Sequence, residues 1–158
     1  RHMSISIEED LVLLDVAAKD KFDLLSQVAD RLFEKGYVKS SYKDAVIARE
    51  KIFATGLPTV LGGVAIPHTD VEHVVSPAIC MARLTSPVDF VIMGDDKETV
   101  SVDFVFMLAM KEAHAQIELL QNLMGILQDE EALRFVKTEK SAEKIAAFVK
   151  ERLAGTAE

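Results

Sequence analysis

The stretch VSVDFVFMLAM, from Val100 to Met110, decides the fold because it is apolar at nearly every position. A strand whose alternating side chains are apolar on both sides is typical of a central strand that is covered on both faces. Pro77 to Leu84 has the same character and predicts a second central strand. Between the two, Met93 to Lys97 predicts a polar turn. The sequence therefore indicates a sheet buried between two outer layers.

The chain before these strands predicts one strand and two helices. Leu11 to Leu14 is a short apolar run and a strand candidate. From Lys21 to Lys35 apolar residues recur at helical spacing, and Gly36 follows as a stop signal. Ser41 is expected to cap a second helix that ends near Phe53.

Three helices are predicted after Met110. The first covers Gln116 to Gln128, the second Glu130 to Val136, and the third begins at its capping residue Ser141 and ends at Leu153. The expected apolar stripe of the first comprises Ile117, Leu120, Leu123, Met124 and Leu127. Strand, two helices, several strands and then helices predict an α/β fold in one domain, with a mixed β-sheet sandwiched between helices in three layers.

The limits of this domain are expected at residues 4–158. Arg1 to Met3 are interpreted as a remnant of an expression vector, because Arg1 and His2 precede a methionine. Ala154 to Glu158 are expected to fray. The sequence has no signal peptide and no apolar run long enough to span a bilayer, so we expect a cytoplasmic protein without membrane insertion.

Charge and cysteine content exclude several classes of protein. The formal net charge is −8 and no cluster of lysine and arginine is present, which argues against binding to nucleic acid. The single cysteine, Cys80, excludes an intrachain disulfide and a cysteine-rich metal site. It lies in an apolar run and is interpreted as a buried thiol.

His68 is the strongest candidate for chemistry. It follows the short strand candidate Val64 to Ile66, which Pro67 ends. We expect the ring to be exposed at the sheet edge on a rigid support, where Thr69 and backbone N–H groups could bind an anion. This placement suits a nucleophile, although these residues alone also fit an ordinary loop histidine.

Two further residues are candidates for binding an anion. His114 stands where a helix begins, and unpaired N–H groups at such a place favour negative charge. Arg49, near the end of the second helix, is a permanently charged donor to phosphate oxygens. The alternatives are a surface or capping histidine and a solvated Arg49–Glu50 pair on a helix face.

A metal site is the main rival interpretation of this region. His68, Asp70 and His73 are all possible ligands, which keeps open a metal-dependent hydrolase, although their spacing matches no strong metal signature. The sequence contains no Walker motif, kinase glycine loop or dinucleotide fingerprint, so no nucleotide cofactor is expected.

Three segments occur in order: Arg49-Glu50, then TGLPT from Thr55 to Thr59, then GVAIPHT from Gly63 to Thr69. Together they resemble the type-2 enzyme IIA domains of the bacterial sugar phosphotransferase system, the fructose–mannitol–galactitol class. His114 with the leucine-rich run after it resembles the second histidine and helix of that family. The segment from Ala54 to Thr59 is closer to the galactitol-type members.

This resemblance implies a mixed sheet with helices on both sides, and a reaction. The phosphocarrier protein HPr would donate a phosphoryl group to the active histidine, which would pass it to a cysteine of a cognate IIB component. The motif match makes His68 the phosphorylated residue, with Arg49 and His114 in supporting roles and no metal or other cofactor. A modest apolar docking patch containing Met93 or Phe90 is expected around His68. Because some relatives control transcription or nitrogen and potassium responses, a regulatory binding module is the alternative.

Overall fold

The computed structural model describes residues 5–153 and places the apolar stretch at 100–110 in the middle strand of a five-stranded sheet. The strands are β1 (Val12–Val16), β2 (Gly56–Thr59), β3 (Gly62–Ala65), β4 (Ala78–Val91) and β5 (Thr99–Ala109). The helices are α1 (Lys21–Glu34), α2 (Tyr42–Ile52), α3 (Ala113–Leu127), α4 (Glu130–Thr138) and α5 (Ala142–Arg152). The expectations for residues 1–3 and 154–158 lie outside the described residues.

The sheet is mixed, as predicted. Its strand order is β1-β4-β5-β3-β2. The two long central strands β4 and β5 pair antiparallel, while β1 is parallel to β4 and β3 is parallel to β5. The edge strand β2 forms an antiparallel hairpin with β3. The hairpin therefore brings the segment that leads to His68 alongside the central strand.

Alternate residues of β5 supply two separate hydrophobic cores. Phe104, Phe106 and Leu108 belong to the core shared with α3, α4 and α5. Val105 and Met107 belong to the core shared with α1 and α2. Because strand side chains point to opposite faces in turn, this pattern buries both faces of the sheet. The predicted three-layer α/β fold is confirmed.

Two parts of the sheet differ from the sequence prediction. Strand β4 continues to Val91 instead of ending at Leu84, and its pairing with β5 shifts register between Arg83 and Val88. Pro87 lies in this irregular part, where a residue without an N–H group is tolerated. Strand β2 was not predicted, because Gly56 and Pro58 break regular patterns; an edge strand accommodates both.

The helices agree with the prediction except at two side chains. Ser141 caps α5 by accepting a hydrogen bond from the Lys144 N–H at 3.2 Å, as expected. Ser41 stands before α2 but makes no side-chain cap. Ile117 is exposed, because the buried face of α3 includes Leu119, which the predicted stripe lacked, together with the predicted Leu123. Within residues 5–153, no helix combines the length and the apolar character needed to cross a membrane.

Candidate active site

His68 follows β3 and lies beside the end of β5. The Pro67 carbonyl accepts a hydrogen bond from the Leu108 N–H at 3.0 Å, and His68 forms a parallel bridge with Leu108. His68 is only 7% exposed, so the expectation of an exposed imidazole was wrong. The proline and the backbone bond to β5 do provide the rigid support that the sequence predicted.

One hydrogen bond defines the tautomer of the His68 ring. Its Nδ1 lies 2.9 Å from the carbonyl oxygen of Ile66. A carbonyl oxygen can only accept, so Nδ1 carries the hydrogen and Nε2 keeps its lone pair. This arrangement leaves Nε2 as the nucleophilic atom of the neutral ring.

The surroundings also favour the neutral form of His68. Burial is the main cause that lowers its pKa from the ordinary histidine value, and the nearby Arg49 charge lowers it further. The bond to Ile66 and the charge of Asp70 act in the opposite direction but do not reverse the shift. At neutral pH the ring is therefore uncharged and able to attack an electrophile.

A cleft of 710 Å³ opens over His68. It brings together His68 and Arg49, two of the three residues predicted to act. Its other lining residues are Ile52, Phe53, Ala54, Thr55, Met93, Gly94, Asp95, Asp96 and Leu120. One site is thus formed by the ends of α2 and β3, the loop after β4 and one face of α3.

Arg49 enters the cleft from the last turn of α2. Its guanidinium lies 4.8 Å from the centre of the Phe53 ring, and its Nη1 is 4.0 Å from a carboxylate oxygen of Asp70. The Nε atom is buried and has no hydrogen-bond partner among residues 5–153. The side chain is therefore held over the cleft with a donor that is not yet used.

Behind Arg49, the carboxylate of Glu50 is buried with 4% exposure. It accepts two hydrogen bonds from Thr55, one from the backbone N–H and one from the hydroxyl, both at 2.8 Å. Burial raises the pKa of Glu50, partly offset by these two bonds. Sequence reasoning missed this pair, because a glutamate beside an arginine on a helix is usually solvated.

His114 does not line the cleft. Its side chain is 83% exposed, and Nε2 lies 3.0 Å from a carboxylate oxygen of Glu118. Residues three or four apart share a helix face, and His114 is not so spaced from Leu120, the α3 residue that reaches the cleft. The structure therefore brings His68 and Arg49 together but leaves His114 outside, and its role stays a prediction.

The residues of the metal alternative do not form a metal site. Nδ1 of His73 lies 2.8 Å from the Ser41 hydroxyl oxygen, and Nδ1 of His68 is taken by Ile66. Over the part of the chain that the structure describes, no group of three His, Cys, Asp or Glu side chains is arranged to hold a metal ion. This geometry contradicts the hypothesis of a hydrolase built on His68, Asp70 and His73.

Exposed apolar side chains surround the opening of the cleft. Ile52 is 72% exposed, and Phe53 and Met93 are also exposed. Phe90, the alternative to Met93 in the predicted patch, is completely buried in the core, so that half of the prediction was wrong. Large exposed apolar groups next to a reactive side chain are typical of a surface that contacts another protein.

A histidine and an arginine that line one cleft of a mixed α/β/α fold form a site suited to an anionic group such as phosphate. The family model "Phosphoenolpyruvate-dependent sugar phosphotransferase system, EIIA 2" matches residues 6–152. The chain belongs to this family, whose EIIA domains are phosphotransferases. The resemblance inferred from the motifs is thereby confirmed.

Individual relatives agree with this assignment. The galactitol-specific EIIA component of Escherichia coli (strain K12) is 35% identical over 109 residues, which are 69% of this chain and 72% of that protein. The transcriptional regulator ManR of Bacillus subtilis is 39% identical over 101 residues, 64% of this chain but 14% of ManR. The Escherichia coli complex of enzyme IIAMTL with phosphorylated enzyme IIBMTL contains a chain that aligns with a TM-score of 0.73 and 24% identity, covering 96% of this chain and 99% of that one.

Proposed function

We propose that this protein accepts a phosphoryl group from phosphorylated HPr on Nε2 of His68 and passes it to a cysteine of a IIB component, in sugar uptake of the galactitol type. The observation that carries the proposal is a neutral histidine whose Nε2 is unprotonated, in the same cleft as an arginine with an unused buried donor. The imidazole is the nucleophile, and the guanidinium is the positive charge that can stabilise the oxygens of the transferring phosphoryl group.

The transfer is a balanced exchange at nitrogen. The Nε2 lone pair forms a P–N bond while the P–N bond of the donor phosphohistidine breaks, and the leaving ring keeps that electron pair. In the second step a thiolate of the acceptor forms an S–P bond, and His68 leaves as the neutral imidazole. The hydrogen stays on Nδ1 and is donated to the Ile66 carbonyl oxygen throughout, so no separate base is required.

Arg49 is proposed to bind the oxygens of the transferring group. Phosphoryl transfer passes through a loose transition state, in which positioning and charge stabilisation contribute most of the catalysis. A guanidinium held by Phe53 offers charged donors in a fixed orientation. A phosphoryl group on Nε2 of His68 would offer acceptor oxygens to the Arg49 guanidinium, which lines the same cleft.

His114 is proposed to act later, when the group leaves for the acceptor. Its ring is at the surface in the first turn of α3, the helix that also carries the cleft residue Leu120, and among the contacts described for residues 5–153 it is paired with Glu118. A partner protein that covers the cleft would approach this exposed ring. The motif match supports the role, and the ring must turn from Glu118 to perform it.

The exposed apolar rim supports transient docking of both partners. A carrier has to release each partner after one transfer, so a small interface with a few apolar anchors suits it. The complex of the Escherichia coli mannitol relative with a phosphorylated IIB supports a IIB component as acceptor. The galactitol-specific relative supports the class of sugar system.

The decisive experiment follows acid-labile phosphate from labelled phospho-HPr to the purified protein. We expect His68→Ala to take no label and His73→Ala, a matched histidine outside the cleft, to take it fully. His114→Ala should be labelled but should deliver phosphate to IIB more slowly. Full labelling of His68→Ala, with its fold verified by circular dichroism, would refute the assignment.

A regulatory role is the second candidate, and the similarity to ManR favours it. In that case the protein would accept phosphate on His68 but bind a regulator in place of IIB. Transfer assays with the galactitol-type IIB discriminate between the two. Rapid passage of label to its cysteine indicates transport, and retention of all label on this protein indicates regulation.

A further inference from the structure

A continuous series of hydrogen bonds joins the second helix to the reactive ring. Glu50 accepts from both the N–H and the hydroxyl of Thr55 at 2.8 Å. The Thr55 carbonyl accepts from the Ile66 N–H at 3.3 Å, and the Ile66 carbonyl lies 2.9 Å from Nδ1 of His68. The carboxylate, two backbone units and the imidazole therefore form one connected set.

The starting point of this series is costly to the fold. A carboxylate with 4% exposure has lost most of its hydration and is compensated by hydrogen bonds from a single residue. Lys21 and Arg49 are the cations that act on it electrostatically. A buried charge held in this way fixes the positions of its hydrogen-bond partners more than it raises the free energy of unfolding.

The location of Thr55 explains which geometry is specified. Thr55 lies between α2 and β2 and lines the same cleft as His68 and Arg49. Glu50 is the sequence neighbour of Arg49 on α2, so one helix turn supports both the arginine and the segment beneath the histidine. A shift of this loop would move the carbonyl that fixes the His68 tautomer.

We propose that Glu50 is a positioning residue for phosphoryl transfer, and that it acts through Thr55 and the Ile66 carbonyl to hold the His68 ring in the tautomer that leaves Nε2 unprotonated. The inference rests on the proposed function for its kinetic consequence. Its structural consequence, a single fixed tautomer of His68, is independent of any phosphodonor.

The test compares Glu50→Leu with Glu50→Gln. Leucine keeps the size but removes both acceptors, whereas glutamine can accept from the Thr55 N–H and donate to its hydroxyl. Asp129→Leu is the control, because Asp129 also accepts two hydrogen bonds, here from the backbone N–H groups of Glu131 and Ala132, at the start of α4 and away from the cleft. Asp129→Leu should lower the free energy of unfolding without changing any hydrogen bond between Glu50 and His68.

Two readouts are measured on each folded variant. Nitrogen-15 NMR of the imidazole reports which ring nitrogen of His68 is protonated, and labelled phospho-HPr reports the rate of phosphorylation. We expect the wild type, Glu50→Gln and Asp129→Leu to show the Nδ1–H tautomer alone. Glu50→Leu should show a mixture of tautomers and a rate lowered roughly tenfold to a hundredfold, the cost of a misplaced nucleophile.

The outcomes separate the two proposals. Glu50→Leu with an unchanged tautomer and an unchanged rate would overturn the positioning role, as would an Asp129→Leu that shows the same changes. If Glu50→Leu does not fold, Thr55→Val removes the hydroxyl bond to Glu50 alone and Thr55→Ser keeps it, so valine should cause a smaller change of the same kind and serine should restore the wild-type result. A wild type that keeps a single Nδ1–H tautomer but takes no label would contradict the proposed function and leave intact only the structural consequence, the tautomer fixed through Glu50.

Discussion

At the scale of single residues, burial shifts the pKa values of two ionisable groups of the site in opposite directions. It lowers the pKa of His68 and raises the pKa of Glu50, and in both residues it favours the neutral form. For His68 the neutral form is the nucleophile. For Glu50 the preference opposes the charge, so its two hydrogen bonds from Thr55 have to offset the loss of hydration.

The lowered pKa of His68 predicts a pH-dependent loss of stability. Below the unfolded histidine pKa of ~6.5, the unfolded chain binds a proton that the buried ring resists, so stability falls until the pH passes the folded pKa. We expect His68→Asn, which cannot titrate, to lose less stability than the wild type between neutral and mildly acidic pH. Urea unfolding at several pH values measures this difference, and parallel curves for the two proteins would contradict it.

The residues of the site could be predicted from the sequence only where a local pattern exists. A strand, a proline and a histidine in succession indicated His68, and a helix end indicated Arg49. The tautomer of His68 could not be predicted, because it depends on the direction of one backbone carbonyl. The burial of Glu50 could not be predicted either, since it results from the loop at Thr55 folding back over α2.

At the scale of elements, the hairpin of β2 and β3 positions the histidine by packing closely on its neighbours. A side chain on Gly63 would collide with the backbone of Ser101 in β5. A side chain on Gly56 would approach the Val91 carbonyl oxygen to 2.7 Å. These contacts could not be predicted from the sequence, because close approach between distant segments has no local signature.

This packing predicts opposite effects of the same substitution at two glycines. Gly63→Ala should lower the free energy of unfolding by about 2 kcal/mol or more, since the strands must separate to admit the methyl group. Gly125→Ala should raise it by roughly 0.5–1 kcal/mol, because Gly125 lies inside α3 with no heavy atom near its missing Cβ. Urea unfolding of both variants tests this, and a Gly63→Ala protein as stable as the wild type would show that the hairpin is looser than described.

At the scale of the whole molecule, a single cleft has to serve two reactions. Under the proposed function the donor and the acceptor must each bring a reactive atom to Nε2 of His68, a nearly buried residue that lines that cleft. Both partners must then cover the same rim, so they bind in turn and compete with each other. The order of elements predicted the three layers, but a shared docking face depends on side chains from segments that are distant in the sequence.

The shared rim predicts that one surface substitution slows both transfer steps. Ile52 at the cleft and Val60 at the β2–β3 turn are almost equally exposed, at 72% and 74%. Val60 precedes the first residue of β3, whereas His68 follows its last residue, so the two lie at opposite ends of the strand. Ile52→Ser should lower the second-order rate constants for phosphorylation by HPr and for transfer to IIB roughly fivefold to thirtyfold, the effect of losing an interface anchor worth about 1–2 kcal/mol. Val60→Ser removes a similar apolar side chain away from the cleft and should leave both rate constants unchanged.

Rapid-quench assays of each half-reaction measure the two rate constants separately. If Ile52→Ser slows only one half-reaction, the two partners use different surfaces, because a shared anchor has to affect both.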